Sequence, residues 1–365
     1  MKRVGFIING RIPAPGSLFR GGLLPHHLLT GWDDSASPMS FMRFRWIARE
    51  AARQHLATYE LYRPWQRYDA VVFLKSMGAT CFDLLQKLQA RRTRVIFEAN
   101  VDYYSETTGQ TPFSDMAPTA AQRAQAIAIT SAADAVIASS RHLADICRQF
   151  NPRSHWVPDN IPAELIPSPL SSPANSGRLD LWWSGMAAKS IDFLCIADVL
   201  RSLKGQLHLH LVTDDFPRGR SRWSEDLRHR MDSLLSDVPH TLYPFRSIPD
   251  LLSLYAGGGG VIVSPRFLDN PYNLSHSEWK ISLGLACGLP AVVSPVPSYG
   301  EVAARASSGA VRLCSTSEEW MAALSAALDG SWDLAASGHA AREVVEQYYR
   351  TDVVARQHVE AVLSA

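Results

Sequence analysis

The 365-residue chain contains no run of eighteen or more uninterrupted apolar residues, so no stretch of it reads as a membrane-spanning helix, and contact with a membrane would be peripheral at most. Cysteine is scarce. The five present (Cys81, Cys147, Cys195, Cys287 and Cys314) are odd in number, widely separated and nowhere spaced as Cys-x-x-Cys. That argues against a disulfide framework and a zinc site and fits reduced thiols in a cytoplasmic protein. An excess of one charge is missing too: 36 basic and 35 acidic side chains leave a formal net charge of +1. There is then no global basic field of the kind that drives nucleic-acid binding, and an anionic partner must be held by local groups. The first residues, Met1 to Arg11, join a basic start to a short apolar run with no small-residue cleavage site, and are expected to form a buried strand rather than a signal peptide.

What is present is a globular composition, 46% apolar and 19% charged, at a length that suits two domains. Short β-branched runs recur with room for a helix between them: Val4 to Ile8, Ala70 to Leu74, Val95 to Phe97, Ala135 to Ala138, Leu207 to Val212, Val261 to Val263 and Ala291 to Val293. Continuous apolar strands spaced in this way predict α/β architecture with parallel sheets, because a parallel pair needs a long crossover and is buried on both faces. The stretch from Pro158 to Gly177, rich in Pro, Ser and Asn, separates two such series. The expected layout is a first domain over 1–160, a linker over 161–177, a second domain over 178–340 and closing helices over 341–365. Those helices would either stay with the second domain or cross back to the first.

In open parallel sheets ligands bind beyond the carboxyl ends of the strands. After the first strand, Gly16 and Ser17 lie in a glycine-containing loop that would let backbone amides approach an anion, although no Gly-x-Gly-x-x-Gly pattern is present. The stretch from Val261 to Pro295 is more informative. It reads as a buried strand ending at Ser264, a polar loop, a helix starting near Ser275 to Ser277, and Cys287-Gly-Leu-Pro290 closing it before another strand. Lys280, one turn in, would add a point charge to the free amides of the helix start, and together they suit a diphosphate. Arg266, Asn270, Asn273, His276, Ser277 and Glu278 supply donors and acceptors of the kind that sugar hydroxyls need.

The segment Lys280-Ile-Ser-Leu-Gly-Leu-Ala-Cys-Gly-Leu-Pro-Ala-Val-Val293 resembles the Lys-x-x-Glu-x-x-Ala-x-Gly-Leu-Pro-Val-Val segment of GT-B glycosyltransferases of the large, mostly retaining group 1. Other stretches follow in order. Ala133 to Leu143 is similar to the strand and helix closing the first domain, Trp156 to Pro162 to the lead into the second, and Leu181 to Asp192 to the strand and glycine loop that bind the donor diphosphate. The resemblance implies two Rossmann-like domains facing each other across a cleft. It also implies transfer of a sugar from a nucleotide-sugar donor, UDP- or GDP-linked, to a carbohydrate, lipid-linked or small-molecule acceptor. It implies no further cofactor, and because no Asp-x-Asp-like acidic pair is evident in the sequence, no metal requirement is expected. Gly185 and Lys189 fall on the diphosphate loop. This chain departs from the pattern at Leu283 and Ser275, which stand where the family carries a pair of glutamates, and at Met186, which stands where the loop arginine is usual.

A retaining enzyme can pass the acceptor proton to a donor phosphate oxygen, whereas an inverting one needs a base, for which Asp102, Glu98 and His26 are the candidates in the first domain. The departures keep two other readings open, a sugar- or nucleotide-binding scaffold without turnover and a nucleotide-sugar epimerase.

Overall fold

Alanine, valine, phenylalanine and leucine fill Ala70–Leu74, and every one of its residues is buried, as a strand covered on both faces requires. The structure, a computed structural model, describes residues 1–10, 12, 41–106, 117–168, 177–307 and 309–364. Twelve strands are formed by them: β1 (Lys2–Ile8), β2 (Ala57–Leu61), β3 (Ala70–Leu74), β4 (Arg94–Ala99), β5 (Ala135–Ala138), β6 (Ser154–Trp156), β7 (Leu179–Gly185), β8 (Leu207–Thr213), β9 (His240–Pro244), β10 (Val261–Ser264), β11 (Ala291–Val293) and β12 (Val311–Leu313). They make two six-stranded sheets in the orders β2-β1-β3-β4-β5-β6 and β12-β11-β10-β7-β8-β9. All pairings are parallel, for example Val4 against Ala70 and Val263 against Val292. No helix among the described residues is long and apolar enough to cross a membrane.

Each sheet has its own core. Alternate side chains of the first sheet point to opposite faces: Val4, Phe6, Val72 and Ile96 pack with Ile47 and the C-terminal Val354 and Val359 on one side. Ile7, Val71, Phe73 and Phe97 pack with Leu85, Ile129 and Leu143 on the other. In the second sheet Leu181, Trp183, Leu209, Leu211 and Val263 join Leu200, Leu234 and Leu324 from the covering helices.

The chain divides into one unit made of Met1–Glu106, Pro118–Pro162 and Tyr349–Ala365, and another containing Ala163–Tyr348. The expected closing region is therefore split. Helix Leu334–Tyr348 stays with the second unit, and helix Thr351–Leu363 belongs to the first. The return is fastened by hydrogen bonds from the Ile161 amide to the Tyr349 carbonyl (2.9 Å), from the Thr351 amide to the Ile161 carbonyl (3.0 Å) and from the Thr351 hydroxyl to Asn160 Oδ1 (2.7 Å).

In both sheets the strand order reverses beside the first strand of the unit. In the second unit, β7 leads outward to β8 and β9, and the chain then returns to β10 on the other side of β7. A reversal of this kind leaves an opening beyond the carboxyl ends of the two central strands, where ligands of such sheets bind.

Candidate functional site

At the carboxyl end of β7 the chain turns at Gly185, and the next segment, Ala187–Ile196, is a run of tight helical turns. Asp214, just past β8, fixes the turn by accepting a hydrogen bond from the Ala187 amide at 2.6 Å. Asp214 and its neighbour Asp215 are both occupied with backbone, since Asp215 caps the short helix Phe216–Arg220 through the Arg218 amide. From the tight turns, Lys189 and Asp192 project toward residues that follow β10.

Beyond β10, Asn270 accepts a hydrogen bond from the Tyr272 amide and, with Pro271 in the first turn, starts a four-residue helix, Pro271–Leu274. Because this separate turn intervenes, the main helix begins at Trp279 and runs to Ala286, later than the sequence pattern places it. Lys280 is consequently its second residue. Gly288, at φ 78°, ends the helix: its amide bonds to the Leu285 carbonyl and that of Leu289 to the Gly284 carbonyl.

Arg266, Asn273, His276, Lys189, Gly185 and Lys280 all meet here. The Lys189 ammonium lies 2.8 Å from His276 Nε2 and 4.4 Å from the centre of the Tyr272 ring. Arg266 is paired with Asp192 (3.1 Å), and Asn273 donates to the other Asp192 oxygen (3.3 Å) and to the Phe267 carbonyl (3.0 Å). Tyr299, 2.8 Å from the Ser264 hydroxyl, stands beside the Arg266 guanidinium at 3.5 Å. Asp192 is thus fully engaged by a cation and an amide.

Lys280 is different. Its ammonium nitrogen is buried with no hydrogen-bond partner among the described residues, 4.8 Å from the centre of the Trp183 ring. It lies so close over Gly185 that a β-carbon there would sit 2.5 Å from Nζ and 3.0 Å from the Trp183 ring, so any larger residue would displace the lysine from this position. Burial pushes this amine well below the usual lysine value, the Arg266 and Lys189 charges push it the same way, and Asp192 opposes them. A buried amine with two cationic neighbours and no committed anion is a place for a multiply charged anion.

Not every candidate faces this spot in the same way. Asn270 uses its carbonyl oxygen as a cap, and Glu278 is buried immediately before the helix. Ser277 is half-buried in the connecting segment. Leu283 lies in the core at 2% exposure, and Ser275 is buried and donates to the Tyr272 carbonyl, so neither of the two departures presents a carboxylate. Met186 is 41% exposed. Gly16, Ser17 and His26 lie outside the described residues.

In the first unit, Glu98, a candidate base, is an interior ion-pair partner. Neither Glu98 nor Arg43 nor His358 has any side-chain exposure. The carboxylate accepts from Arg43 Nε at 2.5 Å and lies 3.3 Å from His358 Nε2. Burial pushes Glu98 up, but Arg43 and His358 outweigh it and hold the carboxyl below its ordinary value. Asp102 is buried, and its Oδ1 accepts from the amides of Tyr104 and Ser105, which forms the turn after β4. Between these two, Asn100 has both amide atoms buried without a partner among the described residues, and so does the hydroxyl of Ser139. They are register neighbours, following Ala99 of β4 and its partner Ala138 of β5. Sequence reading missed Asn100, Ser139, Asp192, Tyr272 and Tyr299. Asn100 and Ser139 follow apolar runs directly and were findable by the rule that sites lie past strand ends, while Asp192 and Tyr299 acquire meaning only through Arg266.

No protein-family model matches the sequence, and no curated protein is similar to it at sequence level. Solved structures do match. Anabaena HepE in complex with UDP and glucose aligns over 100% of both chains with TM-score 0.62 and 14% identity. A glycosyltransferase from Rickettsia africae aligns over 94% of this chain and 89% of its own with TM-score 0.59 and 13% identity. Sucrose-phosphate synthase from Thermosynechococcus elongatus aligns over 80% and 72% with TM-score 0.58 and 16% identity. At these identities the likeness is one of fold: two Rossmann-like domains, the GT-B fold.

Proposed function

We propose that the protein is a glycosyltransferase that binds the diphosphate of a nucleotide-sugar donor at Lys189, Lys280 and the start of helix Trp279–Ala286, and moves the sugar to a hydroxyl of a carbohydrate-containing acceptor. The observation that carries this reading is the buried, unpartnered side-chain nitrogen of Lys280 over Gly185, at the reversal point of the second sheet. The UDP and glucose bound by HepE, a protein of the same fold, support a UDP-linked donor. A GDP-linked donor is the second choice.

In the reaction the bond between the anomeric carbon and the diphosphate oxygen breaks, the acceptor oxygen bonds to that carbon, and the acceptor proton leaves. Negative charge grows on the diphosphate as it departs, and fixed cations with free helix amides stabilise that charge better than water does. Lys189, oriented by His276 and Tyr272, and Lys280, held by Trp183 and Gly185, take that role and supply the countercharge that a metal ion supplies in other transferases. With Glu98 committed to Arg43 and His358, transfer with retention is favoured, the proton going to a donor phosphate oxygen; Asp102 is the base if the reaction inverts. Asn100 and Ser139, whose polar atoms lack partners, are the first unit's groups for acceptor hydroxyls.

A thermal-shift screen with UDP, GDP, dTDP, ADP and CMP and their sugars, using Lys280→Ala as control, tests the donor site. A ligand that binds only the folded protein must raise its melting temperature. A shift with one nucleotide class that Lys280→Ala abolishes is expected, with transfer that survives a chelator. No shift with any nucleotide would sink the reading. Leu283, an apolar residue where the resemblance places a ribose partner, favours one alternative, a binding scaffold, which would show the shift but no release of nucleotide from the donor.

A further inference from the structure

Three cationic side chains converge beyond β7 and β10, and they are not equivalent. Arg266 has Asp192, and Lys189 has His276 at 2.8 Å. The Lys280 nitrogen has no hydrogen-bond partner, although it is buried. Its surroundings are the Trp183 ring, the backbone of Gly185, and the charged groups Arg266, Lys189 and Asp192. Asp192, the one anion among these, gives both carboxylate oxygens to Arg266 and Asn273. Glu278 stands two residues earlier, at the helix start.

A protonated amine in this position would be an isolated buried charge beside two other cations. The Trp183 face attracts a cation, but a single contact of that kind is weaker than the cost of stripping water from an ammonium. A neutral amine packs against the ring and the glycine without that cost. A diphosphate reverses the balance, because two negative charges arriving next to the nitrogen favour its charged form.

We propose that Lys280 is a neutral amine before the donor binds and takes a proton from solvent when the diphosphate arrives, so that donor binding is linked to uptake of about one proton at this side chain. The step is R–NH2 plus a proton giving R–NH3+, with no other bond made or broken. It rests on the donor reading above and adds to it a pH-dependent affinity: between the free and bound titration points, binding tightens as pH falls. Burial and the flanking Arg266 and Lys189 charges lower the free amine's value, which agrees in direction. The linkage would restrain tight binding of donor in alkaline conditions and would release the proton again when nucleotide leaves.

Calorimetry tests this with UDP-glucose and GDP-mannose as the probes, since a diphosphate diester has no proton of its own to give up near neutral pH. Titrations at about pH 8 in Tris and in HEPES, whose ionisation enthalpies differ, are expected to give binding enthalpies that differ by the uptake of roughly half to one proton. The uptake should vanish in Lys280→Arg, whose side chain stays charged, and persist in His276→Asn, which separates Lys280 from the imidazole, the group at the site that ordinarily titrates nearest neutral pH. Binding of either probe by the wild-type protein without buffer dependence overturns the proposal and leaves the donor site standing, as does uptake that is undiminished in Lys280→Arg. Failure of both probes to bind overturns the UDP- or GDP-linked donor reading and this proposal together. If Lys280→Arg fails to fold, the wild-type Kd decides: a loss of affinity that approaches tenfold per pH unit over part of the alkaline range supports the proposal, and a profile flat across that range overturns it.

Discussion

Asp192 and Arg266 form an ion pair at 3.1 Å in which each side chain is only 1% exposed, and Asn273 and Tyr299 take up hydrogen-bonding positions around it. A buried pair of this kind adds little over an apolar substitute, but breaking it strands a charge. Asp192→Ala is therefore expected to lower stability by about 3–5 kcal/mol in denaturant titrations, because Arg266 is left without its anion. The double variant Asp192→Leu, Arg266→Met should recover much of that loss while weakening nucleotide binding. A double variant as unstable as the single one would show that the pair's surroundings, and not the stranded charge, set the cost.

The Glu98 interaction with Arg43 and His358 ties together β4, the π-helical segment Phe41–Arg45 and helix Thr351–Leu363. Since Glu98's carboxyl is held below its ordinary value of 4.5, its contribution to stability is fully present above that pH and is lost as pH falls through the lower folded-state value. Glu98→Gln should cost about 3–5 kcal/mol at pH 7, with the gap from wild type narrowing as pH drops below 4.5. If Glu98 were instead a base in transfer, the variant would keep its stability and lose turnover, which parallel melting and activity measurements would reveal.

The strands that sequence reading found directly were those buried on both faces, such as Ala70–Leu74, Ala135–Ala138 and Val261–Ser264. The apolar runs passed over β7, which entered only through the resemblance of Leu181 to Asp192, and β2, β6, β9 and β12, the four edge strands of the two sheets. The edge sequences mix Glu, Ser, His, Thr and Arg with apolar residues because one side is less covered, so they carry no continuous apolar run. The site divides in a similar way. Lys280 and Lys189 are visible as cations placed after strands, whereas the role of Asp192 depends on a partner 74 positions away, and that of Glu98 on His358 at 260. A buried carboxylate after an apolar run looks the same in sequence whether it faces a substrate or an arginine.

Gly284, inside helix Trp279–Ala286, packs directly on Ile262 of β10, and a β-carbon there would overlap the Ile262 side chain. Helix propensity alone favours alanine at such a position by up to about 1 kcal/mol. Overpacking should win, and Gly284→Ala is expected to destabilise by about 1–3 kcal/mol. Because the same helix carries Lys280, nucleotide affinity should fall with it. Adding Ile262→Val, which removes a methyl group from the contact, should restore part of both, and unchanged melting of Gly284→Ala would mean that the helix can lift from the sheet without penalty.

Lys189 and His276 come from segments 87 residues apart and meet at 2.8 Å, with the Tyr272 ring edge-on to His276 and beneath the lysine. The ammonium donates to Nε2, which requires the neutral imidazole to present that nitrogen as acceptor. His276 then acts as a positioning residue for a lysine that would otherwise sample many rotamers. His276→Ala should weaken donor binding by about 10–150-fold, in keeping with roughly 1.5–3 kcal/mol for a hydrogen bond to a charged group. Lys189→Ala should weaken it further. The two effects should not add, since without the lysine the histidine has nothing to orient, and the double variant should bind like Lys189→Ala alone. Additive losses would mean that His276 touches the donor itself. His276→Gln, whose amide oxygen can also accept from the ammonium, should recover part of the affinity if positioning is the histidine's role.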